Sequence, residues 1–214
     1  METVDDNRLR IREKARELFF QLGMRRVSMD DIAHSMGMSK KTLYQYYSDK
    51  NTLVNEVIEL VLEQNAVNCK SYRGVVKNAI EEGFKATEFV SEMMGRMNPV
   101  LLVDMQKYFP SAYRRFLKFK EDFLYNFIRQ NIEWGIRDGL FRADVNAGLI
   151  SRLRLESINL PFQPAFYEAM QTDLASLQSE IFVLFLYGIA TPKGTRLINK
   201  YRNQKQKPTT DDKN

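Results

Sequence analysis

Seven consecutive residues near the amino terminus, Lys40 to Tyr46, carry a dense set of groups that can bind a polyanion. The sequence KKTLYQY places two ammonium groups, a hydroxyl, an amide and two phenols within about two turns of helix. Lysines and hydroxyls bind phosphate oxygens, whereas Gln45 can pair with adenine in bidentate fashion and Thr42 can contact a thymine methyl group. This spacing favours the recognition of duplex DNA, with Lys50 as a further cation near the backbone.

Two short helices joined by a tight turn are needed to position these groups. Ser28 is a good N-cap for the first helix, and acidic residues follow it where the helix dipole favours negative charge. Gly37 can end that helix in a left-handed conformation. Ser39 then caps the second helix, and Leu43 anchors it inward. The pattern predicts a helix-turn-helix, whose second helix enters the major groove.

The segment that begins at Gly23 and ends at Val54 resembles the DNA-binding segment of the TetR (tetracycline repressor) family of bacterial transcriptional regulators. The residues that carry the resemblance are Gly23, Ser28, Ile32, Ala33, Gly37, Ser39, Thr42, Leu43, Tyr44, Tyr47, Lys50 and Leu53, with Ala15, Leu18 and Phe19 before them. The resemblance covers roughly the first quarter of the chain. It implies an amino-terminal three-helix DNA-binding head on a larger helical body.

The resemblance also implies contacts with DNA for Lys40, Thr42, Tyr44, Gln45, Tyr46 and Lys50. The expected DNA-binding set is Arg25, Ser28, Lys40, Lys41, Thr42, Tyr44, Gln45, Tyr46 and Lys50. Two positions depart from the family pattern. Many relatives have glycine where this chain has Lys41, which we expect to contact guanine or phosphate instead. Many have threonine at Val27, and Arg25 with Arg26 is expected to compensate for the missing hydroxyl.

Composition is compatible with this interpretation. The 214-residue chain has a net charge of +5 and a pI of about 9.2, which suits a polyanionic partner. The single cysteine, Cys69, cannot form an intrachain disulfide, which favours the reducing cytoplasm. The charged amino terminus does not resemble a signal peptide, and the longest apolar run, 181–190, is shorter than the roughly 20 residues that span a bilayer. We therefore expect a cytoplasmic protein that has no membrane partner.

Helical periodicity continues along the chain, and no convincing strand alternation appears, so the predicted fold is all-α. We expect helices near 8–21, 51–68, 72–97, 100–109, 111–138, 145–160 and 166–187, with prolines between them or at their ends. The predicted domains are a helix-turn-helix head over 1–50, a helical ligand-binding and dimerisation domain over 51–203, and a polar flexible tail over 204–214.

The body is rich in aromatic residues and methionine, which suit a pocket for varied apolar ligands. The resemblance implies an inducer pocket between helices in this region. The candidate lining residues are Phe89, Met93, Met97, Met105, Tyr108, Tyr113, Phe116, Phe123 and Trp134. The alternative is that this stripe is ordinary hydrophobic core.

The last two long helices carry apolar faces that could pack within one subunit or against a second copy. The candidate dimer-interface residues are Leu149, Leu153, Leu174, Leu177, Ile181 and Phe185. The resemblance implies a two-fold dimer built through a four-helix bundle. A dimer also suits the physics, because one short recognition helix covers only a few base pairs and two heads gain affinity from two half-sites.

No catalytic arrangement is apparent. The single histidine, His34, and the single cysteine, Cys69, are far apart in sequence, and no cluster has the spacing of a metal site. We therefore expect neither enzyme activity, nor a metal, nor a cofactor. The sequence predicts a homodimeric, ligand-responsive transcriptional repressor that binds a palindromic operator. The alternative is a helical ligand-binding or protein-interaction module with a degenerate DNA-binding head.

Overall fold

The structure, a computed structural model, describes residues 4–206 and is built of helices. Within that range, one antiparallel bridge between Phe141 and Ala190 is the sole β-type pairing, which confirms the all-α fold. The α-helices are α1 (Val4–Leu22), α2 (Met29–Ser35), α3 (Lys40–Tyr46), α4 (Lys50–Tyr72), α5 (Ala79–Met94), α6 (Leu101–Tyr108), α7 (Pro110–Phe119), α8 (Tyr125–Arg137), α9 (Ala147–Ser157), α10 (Pro164–Met170), α11 (Leu174–Ile189) and α12 (Pro192–Gln206). A π-helical segment (Lys120–Leu124) joins α7 to α8, and a 3-10 turn (Leu160–Phe162) precedes α10.

The head consists of α1, α2 and α3, packed on the start of α4. Phe19, Ile32, Leu43 and Leu53 are all fully buried in its core. The same hydrophobic cluster continues through α4 into α6 and α7, where Met105 is 2 % exposed. Head and body therefore share one continuous hydrophobic cluster.

A second hydrophobic cluster holds the distal part of the body together, and α5, α8, α11 and α12 supply most of it. Phe84 and Phe182 pack edge to face, with ring centroids 5.5 Å apart. Gly135 lies so close to Phe141 that a Cβ atom there would be 2.1 Å from the ring, so α8 can pack against this ring only with glycine at that position.

Two predicted helices have different limits in the structure. The helix expected over 72–97 begins at Ala79, because the Asn78 side chain accepts a hydrogen bond from the backbone N–H of Glu81 and caps it there. The helix expected over 166–187 is divided. α10 ends at Met170, Gln171 takes a left-handed conformation with φ 49°, and Asp173 caps α11. The helix expected over 111–138 runs without a break from Pro110 to Arg137, with the π-helical segment in its middle.

The carboxyl-terminal tail was expected to begin at residue 204, but α12 continues to Gln206. The rest of that predicted tail, 207–214, lies outside the described residues. Among the described helices, none combines the length and the apolar character that crossing a membrane requires.

Candidate nucleic-acid interface

The turn between α2 and α3 has a fully hydrogen-bonded geometry. The backbone N–H of Met38 donates to the Ala33 carbonyl and that of Gly37 donates to the His34 carbonyl, both at 3.0 Å. Gly37 has φ +66°, so this is the Schellman arrangement that ends a helix with a left-handed glycine. The sequence prediction for Gly37 is confirmed.

Side-chain caps fix the start of both short helices. Ser28 accepts from the backbone N–H of Asp31, and the Asp31 carboxylate accepts from the backbone N–H of Ser28, which forms a capping box. These hydrogen bonds from Ser28 lower the pKa of the Asp31 carboxyl. Ser39 likewise accepts from the backbone N–H of Thr42 at 3.0 Å. Ser28 thus caps α2, and its role in DNA binding stays a prediction.

The two faces of α3 differ sharply. Leu43 is fully buried and holds the helix against the head. Lys41, Tyr44 and Gln45 are exposed, and Tyr44 retains 41 % of its accessible surface. An ammonium group, a phenol and an amide therefore share one solvent-facing surface, which we call the α3 surface. This surface can bond to phosphates and base edges together.

Lys40 and Thr42 are already engaged by neighbours within the head. The Lys40 ammonium pairs with the Asp30 carboxylate at 2.9 Å, and this contact raises the pKa of Lys40. The Thr42 hydroxyl lies 2.7 Å from the Ser39 hydroxyl, and Thr42 is half-buried. Lys40 remains exposed, so it can exchange Asp30 for a phosphate at the cost of a surface ion pair, which is typically worth at most about 1 kcal/mol.

Arg25 and Lys50 point toward the junction of head and body. The Lys50 ammonium donates to the Arg25 carbonyl at 3.1 Å and lies over the Phe109 ring, and burial lowers the pKa of Lys50. The Arg25 backbone N–H donates to Asp104 of α6 at 2.9 Å, and its guanidinium stacks over Tyr108. In this arrangement both side chains hold α6 against the head, and their predicted contacts with DNA stay predictions.

The two tyrosines at the end of α3 pack against the head. Tyr46 is half-buried against the head core. Tyr47 is fully buried, and its hydroxyl donates to Glu56 of α4 at 3.1 Å. Burial, with Glu56 next, raises the pKa of Tyr47. Arg8 of α1 bonds the same Glu56 carboxylate and lies over the Tyr47 ring, so this trio fixes α3 to α1 and α4. The sequence analysis missed Glu56, which carries no motif of its own.

Val27, where many relatives have threonine, is 1 % exposed and belongs to the head core. It offers neither a hydroxyl nor accessible surface to DNA.

The residues predicted to line a ligand pocket do not meet in one cavity. Phe89 and Met93 border a groove beside α1, and Tyr113 and Phe116 border a second groove beside α6. Phe123 borders a third groove beside α4, and Trp134 borders a fourth beside Arg73. Met105 is 2 % exposed in the core, and Met97 and Tyr108 pack against that same cluster. The structure therefore does not bring these nine residues together, and most of them fill ordinary packing positions.

A different set of residues surrounds an apolar cavity of about 80 Å³ within the body. Its walls come from α5, α8, α9 and α11, with Cys69 of α4 at one side. Aromatic and aliphatic side chains dominate, but Arg154 and Gln178 also line it. Burial raises the pKa of the Cys69 thiol to about 11, so this thiol is neutral at physiological pH.

The predicted dimer residues fall into two groups. Leu149 and Leu153 are 66 % and 60 % exposed on α9, and Ile181 and Phe185 are half-buried on α11. The other two, Leu174 and Leu177, are only 2 % and 7 % exposed, because they pack inside the chain. They must therefore be removed from the candidate interface. Leu184, which the prediction omitted, is 69 % exposed on α11 and joins it. Its three-residue spacing from Ile181 was the available signal.

Among residues 4–206 there is no group of three or more metal-ligating side chains that could hold a metal ion. His34 is exposed on α2, whereas Cys69 is buried in the body.

The head, with its capped turn and exposed second helix, defines a helix-turn-helix transcriptional regulator. Residues 11–57 match the family model for bacterial regulatory proteins of the tetR family. An uncharacterized HTH-type transcriptional regulator of Bacillus subtilis (strain 168), YvaF, is 29% identical over 168 residues, which is 74% of this chain and 83% of that protein. The amino-terminal head thus matches the tetR-family model, and the chain as a whole is similar to an HTH-type transcriptional regulator.

Solved structures share the fold over nearly the whole chain. A TetR-family regulator from Agrobacterium tumefaciens has a TM-score of 0.70 at 15% identity, with 88% of this chain and 100% of that chain covered. The regulator FadR from Bacillus subtilis, in complex with stearoyl-CoA, has a TM-score of 0.61 at 16% identity, covering 85% of this chain and 98% of that chain. At such identities the likeness shows the fold alone.

Proposed function

We propose that this transcriptional regulator is a homodimeric, ligand-responsive repressor that binds a near-palindromic operator in the cytoplasm. The observation that carries the proposal is the α3 surface. Lys41, Tyr44 and Gln45 face solvent, while Leu43 anchors the helix from behind. In this proposal Gln45 contacts base edges, and Lys41 and Tyr44 contact phosphates on either side of the major groove.

A second copy of the chain is part of this proposal. Leu149, Leu153 and Leu184 expose 60–69 % of their surface on α9 and α11, an unfavourable placement for three leucines in an isolated chain. Contact between these helices and their counterparts in a second copy would cover the leucines. It would also set two heads at a fixed distance, so that the operator must contain two inverted half-sites.

The effector in this proposal is a small molecule with a substantial apolar part that binds in the cavity between α5, α8, α9 and α11. Two observations support this site. The cavity is apolar, and it touches α4 at Cys69, while the amino end of α4 belongs to the head. A structural neighbour, FadR of Bacillus subtilis, was solved in complex with stearoyl-CoA, so a protein of this fold accommodates an acyl ligand. The effector would favour a head spacing that fits DNA less well, with a coupling of about 1–3 kcal/mol.

The test is a selection of random duplexes with the full-length protein, followed by measurement of its affinity for the enriched sequence and for the promoter of its own gene. We expect an inverted repeat to be enriched. The double variant Lys41→Ala with Gln45→Ala should lose this selectivity, whereas Lys85→Ala, an exposed lysine of α5, should bind like the wild type. Unchanged selectivity in the double variant would contradict the assignment of the α3 surface.

The second candidate function is a ligand-binding or protein-interaction module whose head no longer reads DNA. Two observations favour this second candidate. The Lys50 ammonium already donates to the Arg25 carbonyl, and Val27 is buried. The same selection separates the two candidates. The absence of any enriched duplex at low salt would support the module.

A further inference from the structure

The guanidinium of Arg154 lies inside the body without an acidic partner. Arg154 is 5 % exposed, on the face of α9 that packs toward α11. Its one side-chain hydrogen bond in the described part of the chain joins Nη1 to the Ser157 hydroxyl at 3.1 Å. The rings of Phe182 and Phe185 flank it, with centroids 5.1 and 5.8 Å from the guanidinium carbon.

The buried carboxylates among residues 4–206, Glu82 and Asp104, bind groups other than Arg154. Glu82 pairs with Arg73 at 3.0 Å and accepts from the Asn131 amide at 2.8 Å. Asp104 accepts from the backbone N–H of Arg25, far from the cavity along the fold. Burial lowers the pKa of Arg154 to about 10, so its charge persists at neutral pH.

Gln178 provides an independent sign that the cavity has a polar occupant. It is 1 % exposed on α11 and lines the same cavity as Arg154. Its Oε1 atom has no hydrogen-bond partner in the structure. Buried side-chain amides are normally satisfied, so an unpartnered amide oxygen on a residue that lines the same cavity as an unpaired guanidinium calls for a ligand with polar atoms.

Most of the remaining cavity wall is apolar, with Phe127, Ile128 and Phe182 among its members, and Thr87 and Asn131 are its other polar residues. A cation buried without a counter-charge is strongly unfavourable, and an anion that enters the cavity would remove that penalty. A guanidinium offers a planar pair of donors that matches a carboxylate. The site therefore combines one anion-binding group with a hydrocarbon-binding wall.

We propose that the effector of this regulator is an amphiphilic carboxylate whose head group binds Arg154 and whose hydrocarbon chain lies along the apolar wall between α8 and α11. This inference rests on the proposed function, in which the cavity holds the effector. Arg154 is a binding residue in it, and a flip of the Gln178 side-chain amide would exchange its unpartnered oxygen for the NH₂ group, which could then donate to the same carboxylate.

The size of the cavity gives the ligand a means of control. About 80 Å³ is far below the roughly 300–1,000 Å³ of typical ligand pockets, so a chain of several methylenes must displace the cavity walls. One of these walls includes Cys69 of α4, whose other end lies in the head. Occupation by the carboxylate is therefore expected to shift α4 and to weaken operator binding.

The experiment measures the binding of decanoate, decanol and decylamine to the full-length dimer by calorimetry, and their effect on binding to the selected duplex. We expect decanoate to bind at least tenfold more tightly than decanol, and decylamine to bind most weakly. Equal binding of decanoate and decanol would overturn the proposal. Decanoyl-CoA is the comparison for a phosphate-bearing ligand. If it binds tightly with no dependence on Arg154 while decanoate does not bind, the free carboxylate is excluded as the effector.

The variant Arg154→Met removes the charge and keeps the length of the side chain. It should abolish the preference for decanoate over decanol while decanol binding remains. Its thermal stability without ligand should match or exceed that of the wild type, because an uncompensated buried charge has been removed. Arg152→Met is the matched control, since Arg152 lies on the same helix but pairs with Glu121 at the surface. It should retain the preference.

If Arg154→Met does not fold, Arg154→Gln provides the same readout, and a preserved preference for decanoate in either variant would refute the role of Arg154. Selective duplex binding without any carboxylate preference would overturn this inference and leave the proposed function intact. The absence of duplex binding by the wild type would overturn the proposed function, whatever the outcome of the ligand measurements.

Discussion

Replacing Lys41 with glutamine tests whether the α3 surface contacts the phosphates of the DNA backbone. Lys41 is exposed at the start of α3, and no ion pair to it is found among the described residues, in contrast to Lys40, which is paired with Asp30. Each phosphate contact contributes about −0.9 to the slope of log K against log salt concentration. Two heads therefore contribute about −1.8, and the variant should lose that part of the slope. At 0.1 M salt this corresponds to roughly a 60-fold loss of affinity.

The assay is fluorescence anisotropy with the selected duplex, repeated across a series of KCl concentrations. Lys85→Gln, on α5 in the body, is the control and should keep the wild-type slope. A slope that is unchanged in Lys41→Gln would refute the phosphate contact. If that unchanged slope is accompanied by lost discrimination at one base pair of each half-site, Lys41 contacts guanine instead.

Three further predictions concern stability and assembly. Asp104→Ala leaves the backbone N–H of Arg25 without its acceptor, so thermal unfolding should show a loss of about 1–3 kcal/mol. Gly135→Ala places a Cβ atom 2.1 Å from the Phe141 ring, and denaturant titration should show a loss of about 1–3 kcal/mol from overpacking. Leu184→Glu puts a charge on the exposed face of α11, and sedimentation should change from the mass of two chains to that of one.

The Gly135 and Leu184 variants each have a control within the chain. Gly74 has no atom within 4 Å of its would-be Cβ and lies outside the proposed interface, so Gly74→Ala should leave stability unchanged or raise it by about 0.4–1 kcal/mol. Val75 is 71 % exposed outside the proposed interface, and Val75→Glu should leave the mass unchanged.

A stable Gly135→Ala protein would mean that the Phe141 ring moves freely. A Leu184→Glu protein that still has the mass of two chains would place the interface elsewhere. Unaltered stability in Asp104→Ala would show that α6 does not hold the head.

Features set by local chemistry could be predicted from the sequence. The N-caps at Ser28 and Ser39 and the left-handed Gly37 depend on residues within a few positions of each other, and all three were found as expected. The cap at Asp173 had the same kind of signal, since its carboxylate accepts from the backbone N–H of Ser176. The helical spacing of Met170, Leu174 and Leu177 across this position favours one unbroken helix instead.

Features set by tertiary packing could not be read in the same way. On α9, the sequence left open whether Leu149 and Leu153 pack within one subunit or against a second copy; in the structure both are exposed, and Ser151, Arg154 and Leu155 are the buried residues. A charged side chain on a helix is normally assigned to solvent, and only the positions of the α11 rings show that Arg154 is enclosed. The aromatic and methionine residues of the body failed as a pocket prediction for a related reason. Their periodicity shows that they face inward, but not which neighbours they meet.

The arrangement of α4 and α6 explains how one chain could couple a cavity to a DNA-binding surface. α4 contributes Leu53 to the head core and Cys69 to the cavity wall, so about 24 Å of continuous helix joins the two sites. α6 holds the head at a second point through Asp104 and the Arg25 backbone. Because the head is attached at two points, we expect displacement of α4 by the proposed effector to turn the head about its contact with α6. In the proposed dimer, in which α9 and α11 hold two chains together, such a rotation would change the distance between the two α3 helices, and that distance must match the spacing of the two half-sites.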